Sequence, residues 1–358
     1  MKNKPRTLVI LTPGFPSDEG DTACLPAQQV FVRALNRNYP GLRVVLVSFE
    51  YPHRRDRYSW FGNTVITIGG WKRGWTNKLL TCLTVWRMLN ALRRESDLVG
   101  LLSFWIGGCA LVGKYYAARK KLRHFTWILG QDARAGNRFI PLIRPRETEL
   151  IAMSNFLARE LHRNYQLTPG HIIPNGIDAS LYGPAPVIRD IDLLGVGSLI
   201  PLKRYDLFLS VIQRLSVRLP SIQGVICGKG PESDKLQRVI GQLGLQRNVQ
   251  LVGEKPHREA IGFMQRAKIL LHTSSYEGFS TVCLEALYAG AHVVSFCDPE
   301  GLPVKNWHVV KDEEEMIGRS LAILQDPHTD YRPVQLHTMD DSAREMMALF
   351  DYRDAAIS

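Results

Sequence analysis

The sequence predicts an α/β protein built as two doubly wound domains, each a mostly parallel sheet between helices, facing across a cleft. Three observations carry this expectation. The chain has 358 residues, 45% hydrophobic and 22% charged, a globular composition too long for one ordinary core. Short apolar runs alternate with helix-length stretches, the rhythm of βαβ units. That rhythm pauses once, at Pro174-Asn175-Gly176-Ile177-Asp178 and Tyr182-Gly183-Pro184-Ala185-Pro186, where turn residues mark a linker.

The first cycle opens with a strand over 7–11, apolar on both faces as in a sheet covered on each side. A Pro/Gly-rich loop and a helix over about 27–36 follow. Further strands are expected over 42–49, 98–104, 124–129 and 150–153, with helices over 78–94 and 110–121 between them. After the linker a second cycle places strands over 192–196, 223–227, 249–252, 269–273 and 292–296. Its helices are expected over 205–218, 232–243, 257–265 and 281–289. The domains are therefore 1–180, 181–339 and a terminal helix in 340–358. Met346, Met347, Leu349 and Phe350 of that helix are available for packing near the interdomain region. Two such domains in series direct the carboxyl ends of their strands toward a ligand.

Composition narrows the function. Residues 1–180 hold 26 Lys/Arg against 12 Asp/Glu, and residues 181–358 hold 19 against 22. A basic first half implies an acidic partner: phosphate, anionic lipid or nucleic acid. Six cysteines lie scattered without a Cys-x-x-Cys pair, against a zinc site or a disulfide framework. No apolar run is long enough to cross a bilayer, and no secretory h-region is evident. A cytoplasmic location is expected.

The strongest motif runs from Tyr276 to Leu287. Ser280 is placed to cap the helix after the 269–273 strand. The amides of Thr281, Val282 and Cys283 would then face the helix mouth, which suits a phosphate. Gly278 permits close approach of a ligand to the backbone. Glu285 is the only charged side chain from Gly278 to Ala291, on a helix that is apolar nearly all round. A buried carboxylate needs a partner, and ribose hydroxyls are one candidate. A backbone group or an arginine is the structural alternative. Glu285 lies roughly 7.5 Å along the helix axis from its start, and its side chain leans back toward the N-terminus. Glu277 and Glu285 can therefore hold opposite ends of one ligand.

Glu277-x7-Glu285 in this setting resembles the signature of the family 4 retaining glycosyltransferases with the GT-B fold, two Rossmann-like domains about a cleft. Four further segments fall in that family's order. They are Thr12-Pro13-Gly14-Phe15-Pro16, Ile173 to Asp178, Val196-Gly197-Ser198-Leu199-Ile200-Pro201-Leu202-Lys203, and Gly228-Lys229-Gly230-Pro231. The resemblance covers nearly the whole chain and is most specific over 173–296. It implies a nucleotide-sugar donor, with Glu277 on the sugar hydroxyls and Glu285 on the ribose. Lys203 would neutralise the diphosphate. Gly14, Ser198, Gly228, Gly278, Phe279, Ser280, Thr281 and Val282 would line the rest of the donor site. Fixed cationic and N–H donors would stabilise the leaving group in place of a metal, so neither metal nor other cofactor is expected.

Three departures stand out. Ser198 occupies a position where the family usually has arginine. Leu129-Gly130-Gln131-Asp132 resembles a His-Gly-x-Asp motif with leucine for histidine, leaving Gln131 or Asp132 for the sugar-facing role; Asp132 joins Glu277 and Lys203 as a catalytic candidate. The Gly-Gly-x-x-Glu segment usual after the second glutamate is not evident over 298–303.

Several matches fail on their residues. Gly108-x4-Gly113-Lys114 lacks the Ser/Thr of a phosphate loop, Tyr115 standing there, and reads as core helix. Asp190-Ile191-Asp192 imitates a metal-binding pair but sits at a strand's entry, where structural aspartates belong. Over 54–94, Trp60, Phe61, Trp71, Trp75 and Trp86 interleave with nine Lys/Arg, suiting either a bilayer interface or core tryptophans beside solvated arginines. The sequence thus predicts a hexosyltransferase-type enzyme of polysaccharide or glycan assembly. Its acceptor is a glycan or lipid-linked molecule, with an anionic membrane surface as a further partner and no nucleic acid expected. Peripheral attachment to the inner face of a membrane fits that acceptor. The alternatives are a nucleotide-sugar epimerase or phosphorylase on the same fold, or a non-catalytic binding protein.

Overall fold

The computed structural model describes residues 4–70, 75–184, 188–298 and 303–353. Trp71, Lys72, Arg73 and most of the 298–303 segment lie outside them, as do Ala185 and Pro186 of the linker. The chain forms two compact units, Met1–Gly176 with His337–Ser358, and Ile177–Leu336.

In the first unit, eight strands form one sheet: β1 (Arg6–Gly14), β2 (Arg43–Tyr51), β3 (Asp56–Trp60), β4 (Asn63–Thr67), β5 (Asp97–Phe104), β6 (His124–Ile128), β7 (Leu150–Ala152) and β8 (His171–Ile172). Their order is β3-β4-β2-β1-β5-β6-β7-β8, parallel except for the β3–β4 hairpin. Helices α1 (Pro26–Asn38), α2 (Trp75–Glu95), α3 (Gly108–Lys120), α4 (Phe139–Ile143) and α5 (Asn155–Tyr165) complete this part of the chain. The central strands are apolar on both faces because helices cover both, and Leu8, Val9, Ile10 and Leu11 are all fully buried. On one face Val85 and Leu89 of α2 join Val112 and Tyr116 of α3 against Val9, Leu11, Val45 and Leu101. On another, Phe31 of α1 packs edge-on against Trp127 of β6.

In the second unit, β9 (Ile191–Val196), β10 (Gly224–Cys227), β11 (Val249–Gly253), β12 (Ala267–His272), β13 (His292–Ser295) and β14 (Trp307–Val309) form an all-parallel sheet ordered β11-β10-β9-β12-β13-β14. Helices α6 (Tyr205–Ser216), α7 (Ser233–Gln242), α8 (His257–Arg266) and α9 (Thr281–Tyr288) connect the strands up to β13, and α10 (Glu313–Gln325) follows β14. The core gathers Phe208 and Ile212 of α6, Leu236 and Ile240 of α7, and the inner residues of the strands.

The last helix, α11 (Met339–Leu349), belongs to the first unit. Thr338 and Asp341 form a capping box at its start. Asp340 takes hydrogen bonds from Arg37 and Asn38 at the end of α1. Phe350 just beyond α11 packs edge-on against Phe125, ring centroids 5.0 Å apart. A Cβ at Gly100 would meet the Phe350 ring, so β5 needs glycine there for the tail to dock.

Candidate functional site

The second sheet reverses its strand order between β9 and β12. Open α/β sheets take ligands beyond the carboxyl ends of their strands at such a switch point. The chain leaves β9 there through 197–204 and leaves β12 through 273–280.

The first of these loops ends in a single 3-10 turn, Pro201–Lys203, begun by proline and closed by Arg204 in the left-handed region (φ 50°). The two loops are laced together. Thr273 Oγ1 donates to the Lys203 carbonyl at 2.7 Å, and the Ser275 amide donates to the Leu202 carbonyl at 3.1 Å. Lys203 Nζ is thereby brought onto Glu277 Oε1 as a hydrogen-bonded ion pair, the side chains 20% and 17% exposed. His272, the last residue of β12, is buried, with Nε2 3.3 Å from Glu277 Oε1 and 3.2 Å from Ser280 Oγ. Burial alone would raise the Glu277 carboxyl. The His272 hydrogen bond and the Lys203 charge outweigh it and hold the group at about 2.

Ser280 stands at the N-cap of α9, but its side chain makes no capping hydrogen bond and turns to His272 instead. The expectation of three open amides is corrected as well. Thr281 donates its amide to the Phe279 carbonyl at 3.1 Å and Cys283 to the Ser280 carbonyl at 2.9 Å. A tight first turn spends these two locally, and among the described residues the Val282 amide is the one of the three with no such bond. Gly278 and Phe279 are buried beside it.

Glu285 has its protein partner in His257, the first residue of α8, whose Nε2 lies 2.6 Å from Glu285 Oε1. Neither a backbone group nor an arginine fills that role.

Gly228 owes its identity to packing. A Cβ there would overlap the Gly197 carbonyl, and one at Gly230 would overlap the Leu199 carbonyl. The β10 loop thus runs directly along the β9 loop, tied by Leu199 N–H to the Lys229 carbonyl at 2.9 Å. Ser198 is exposed on that β9 loop.

In the first unit the order reverses between β1 and β5. Gly14 ends β1, and its carbonyl accepts Thr12 Oγ1 at 2.6 Å. A Cβ at Gly14 would make only ordinary contact with Tyr51, so local crowding does not require glycine. Asp132, a candidate for the sugar-facing role, is buried. Its Oδ2 accepts from the Ile106 amide and its Oδ1 from the Gly130 amide, each at 2.9 Å. Burial raises this carboxyl to about 6 against the pull of those amides. The residue braces the loop after β5 against the loop after β6.

The rejected matches have structural work. Gly108 to Lys114 lies in α3 with Cys109, Ala110 and Val112 buried; Lys114 pairs with Glu149 at 2.9 Å. Asp190 pairs with Arg266, and Asp192 with Lys268 at 2.7 Å. Trp60 is a fully buried core residue that packs on Phe15, and Trp86, partly buried, packs on Tyr116 against the core. Among the described residues no group of three or more His, Cys, Asp or Glu is disposed to hold a metal ion.

Two site residues, His272 and His257, escape sequence reasoning, which finds no ligand spacing among the histidines. The available signal was position: a polar residue closing an apolar strand at a switch point, and another opening a helix.

A family model described as "Glycosyl transferases group 1" matches residues 188–315. One described as "Glycosyltransferase Family 4" matches residues 29–181. The gpi3 subunit of phosphatidylinositol N-acetylglucosaminyltransferase from Schizosaccharomyces pombe is 29% identical over 186 residues, 50% of this chain and 41% of that protein. The chain thus spans less than half the length of this relative. Sucrose-phosphate synthase from Thermosynechococcus elongatus superposes with a TM-score of 0.69 at 17% identity, covering 96% of this chain and 95% of the other. HepE from Anabaena, in complex with UDP and glucose, gives 0.65 at 15% identity over 99% and 97%. At these identities the structural likeness speaks for the fold alone.

Proposed function

Because the chain belongs to the family 4 glycosyltransferases of the GT-B fold, we propose that it is a retaining, hexosyltransferase-type enzyme moving a sugar from a nucleoside diphosphate donor to a glycan or lipid-linked acceptor without a metal ion. The observation that carries this reading is the Lys203–Glu277–His272 cluster at the switch point of the second sheet. A departing nucleoside diphosphate accumulates negative charge, and a fixed ammonium group there stabilises it without reorganisation. Lys203 would exchange its contact with Glu277 for the diphosphate. That exchange releases the carboxylate to accept hydrogen bonds from the donor sugar. Glu285, deeper in α9, would accept from ribose hydroxyls. The S. pombe relative's name supports a lipid acceptor, and the UDP bound by HepE makes UDP-sugars the first donors to test. Work on the inner face of a membrane, by peripheral attachment, is part of the same reading.

The test is a thermal-shift screen of UDP-, GDP- and ADP-sugars in the presence of EDTA. Ligand at about 100 times Kd stabilises by roughly 2.7 kcal/mol, so one nucleotide class is expected to raise the melting temperature with no metal present. Strict dependence of binding on a divalent cation would remove the metal-free mechanism. Silence from every nucleotide, with tight RNA binding, would replace the enzyme by a binding protein.

A further inference from the structure

Each glutamate of the Glu277/Glu285 pair is held on one carboxylate oxygen by a histidine from another element, the buried His272 for Glu277 and the half-buried His257 for Glu285. The His257–Glu285 contact stands apart from the Lys203 cluster. Its side chains are 14% and 13% exposed, with Nε2 and Oε1 2.6 Å apart. A carboxylate only accepts, so Nε2 carries the hydrogen whether the ring is neutral or charged. The backbone beneath Glu285 is fixed too. The Tyr182 hydroxyl donates to the Glu285 carbonyl at 3.2 Å, and its ring packs edge-on against Tyr288 at 4.7 Å. Glu285 Oε2, by contrast, has no hydrogen bond among the described residues.

We propose that His257 is a positioning residue of the nucleotide site: it clamps Glu285 so that one oxygen stays open for a ligand hydroxyl, and its charge makes nucleotide affinity depend on pH. The proposal rests on the reading of Glu285 as the ribose contact. Two carboxylates act on the imidazole, Glu285 from α9 and Asp178 from the segment before β9. Asp178 is itself buried, its Oδ1 accepting from the Ser180 amide at 3.1 Å and hydroxyl at 2.6 Å. Burial alone would lower the imidazole. The hydrogen bond to Glu285 and the charges of Glu285 and Asp178 outweigh burial and raise it. The Tyr182 phenol beside them is kept neutral by burial, which raises it. Below its raised value His257 is an imidazolium and adds one positive charge to a site for a phosphate-bearing ligand. By linkage, such a ligand raises the proton affinity of His257 by the same factor.

The experiment is calorimetric titration at pH 6 and pH 8, in EDTA, with whichever of UDP, GDP and ADP stabilises the protein most. Wild type, His257→Gln, His257→Ala and Glu285→Ala are compared, each checked for folding by circular dichroism. The ratio of wild-type to His257→Gln affinity is expected to fall on the order of threefold to tenfold from pH 6 to pH 8. The ligand's own phosphate titration is common to both proteins and cancels in that ratio. His257→Gln, which keeps a donor, should match wild type at pH 8, whereas His257→Ala should bind more weakly at both pH values. A constant ratio overturns the role of charge, and wild-type affinity in His257→Ala overturns the clamp. If Glu285→Ala is weakened while His257→Ala is not, the histidine proposal alone fails. If Glu285→Ala binds as wild type does, the ribose reading fails with it.

Discussion

Replacing Glu277 by glutamine keeps the size of the side chain and removes the charge that Lys203 and His272 both meet. Lys203 then remains free for the diphosphate, so nucleotide affinity should change little. Sugar transfer should fall, on the order of a hundredfold by comparison with loss of one fixed polar contact to a transition state. Glu285→Ala should do the reverse. It removes a half-buried acceptor worth about 1–3 kcal/mol, and the loss should appear in the Kd of the bare nucleoside diphosphate. Titration calorimetry of both variants with a transfer assay decides the matter; equal losses of nucleotide affinity would contradict the division of roles. Acid offers a separate readout. The Glu277 carboxyl is depressed from 4.5 to about 2, so its contribution to stability is complete above the unfolded value and is lost as pH falls through the folded one. Glu285 was visible in the sequence because charge on an apolar helix demands a partner, and Glu277, in the loop before α9, through its spacing from Glu285 in the Glu-x7-Glu motif. Their histidines were not, since a lone histidine carries no spacing and its partner is set by the fold.

The strands and helices of both sheets were legible where burial is two-sided. Runs such as Leu8 to Leu11 and Ile269 to Leu271 advertise parallel strands. The β3–β4 hairpin was missed because Asp56–Trp60 is an edge strand, exposed at Asp56, Arg57 and Ser59, and its alternation is limited to Tyr58 and Trp60. The short α4 holds Pro141 within five residues and gives no helical period. Helix α10 did have a signal that went unread: Asp312 caps it, accepting from the Glu315 amide, with three glutamates in the first turn. The Gly228 position shows how an element-level constraint can resemble a ligand contact. Its glycine lets the β10 loop pass the Gly197 carbonyl. Gly228→Ala should therefore destabilise the second unit by on the order of 1–3 kcal/mol and weaken nucleotide binding through the displaced β9 loop. Denaturant midpoints measure the first effect and calorimetry the second. An unchanged midpoint would show that the two loops can separate without cost.

At the scale of the whole chain the unexplained property is charge, with an excess of 14 positive side chains over residues 1–180 and an excess of three negative ones beyond. Helix α2 concentrates it. From Trp75 to Arg94 it has no acidic residue, and its outer face presents Leu79, Leu80 and Leu83 at 59%, 56% and 48% exposure. Arg87, Arg93 and Arg94 are exposed farther along the same helix. Exposed leucines beside cations fit the boundary between headgroups and acyl chains of an anionic bilayer, where the cations meet phosphate and the leucines leave water. Each Lys or Arg near such a surface contributes about 1 kcal/mol, so a few suffice for reversible attachment. No helix among the described residues is long and apolar enough to cross a membrane, and binding through charge should weaken as salt rises. The chain is expected to sediment with liposomes containing anionic lipid at low ionic strength, less at physiological strength, and not with neutral liposomes. Arg87→Glu should reduce sedimentation chiefly at low salt, whereas Leu80→Ser with Leu83→Ser should reduce it at both. If the protein stays in the supernatant with anionic liposomes even at low salt, the membrane surface is not its partner, and the basic first unit serves a soluble anionic acceptor instead.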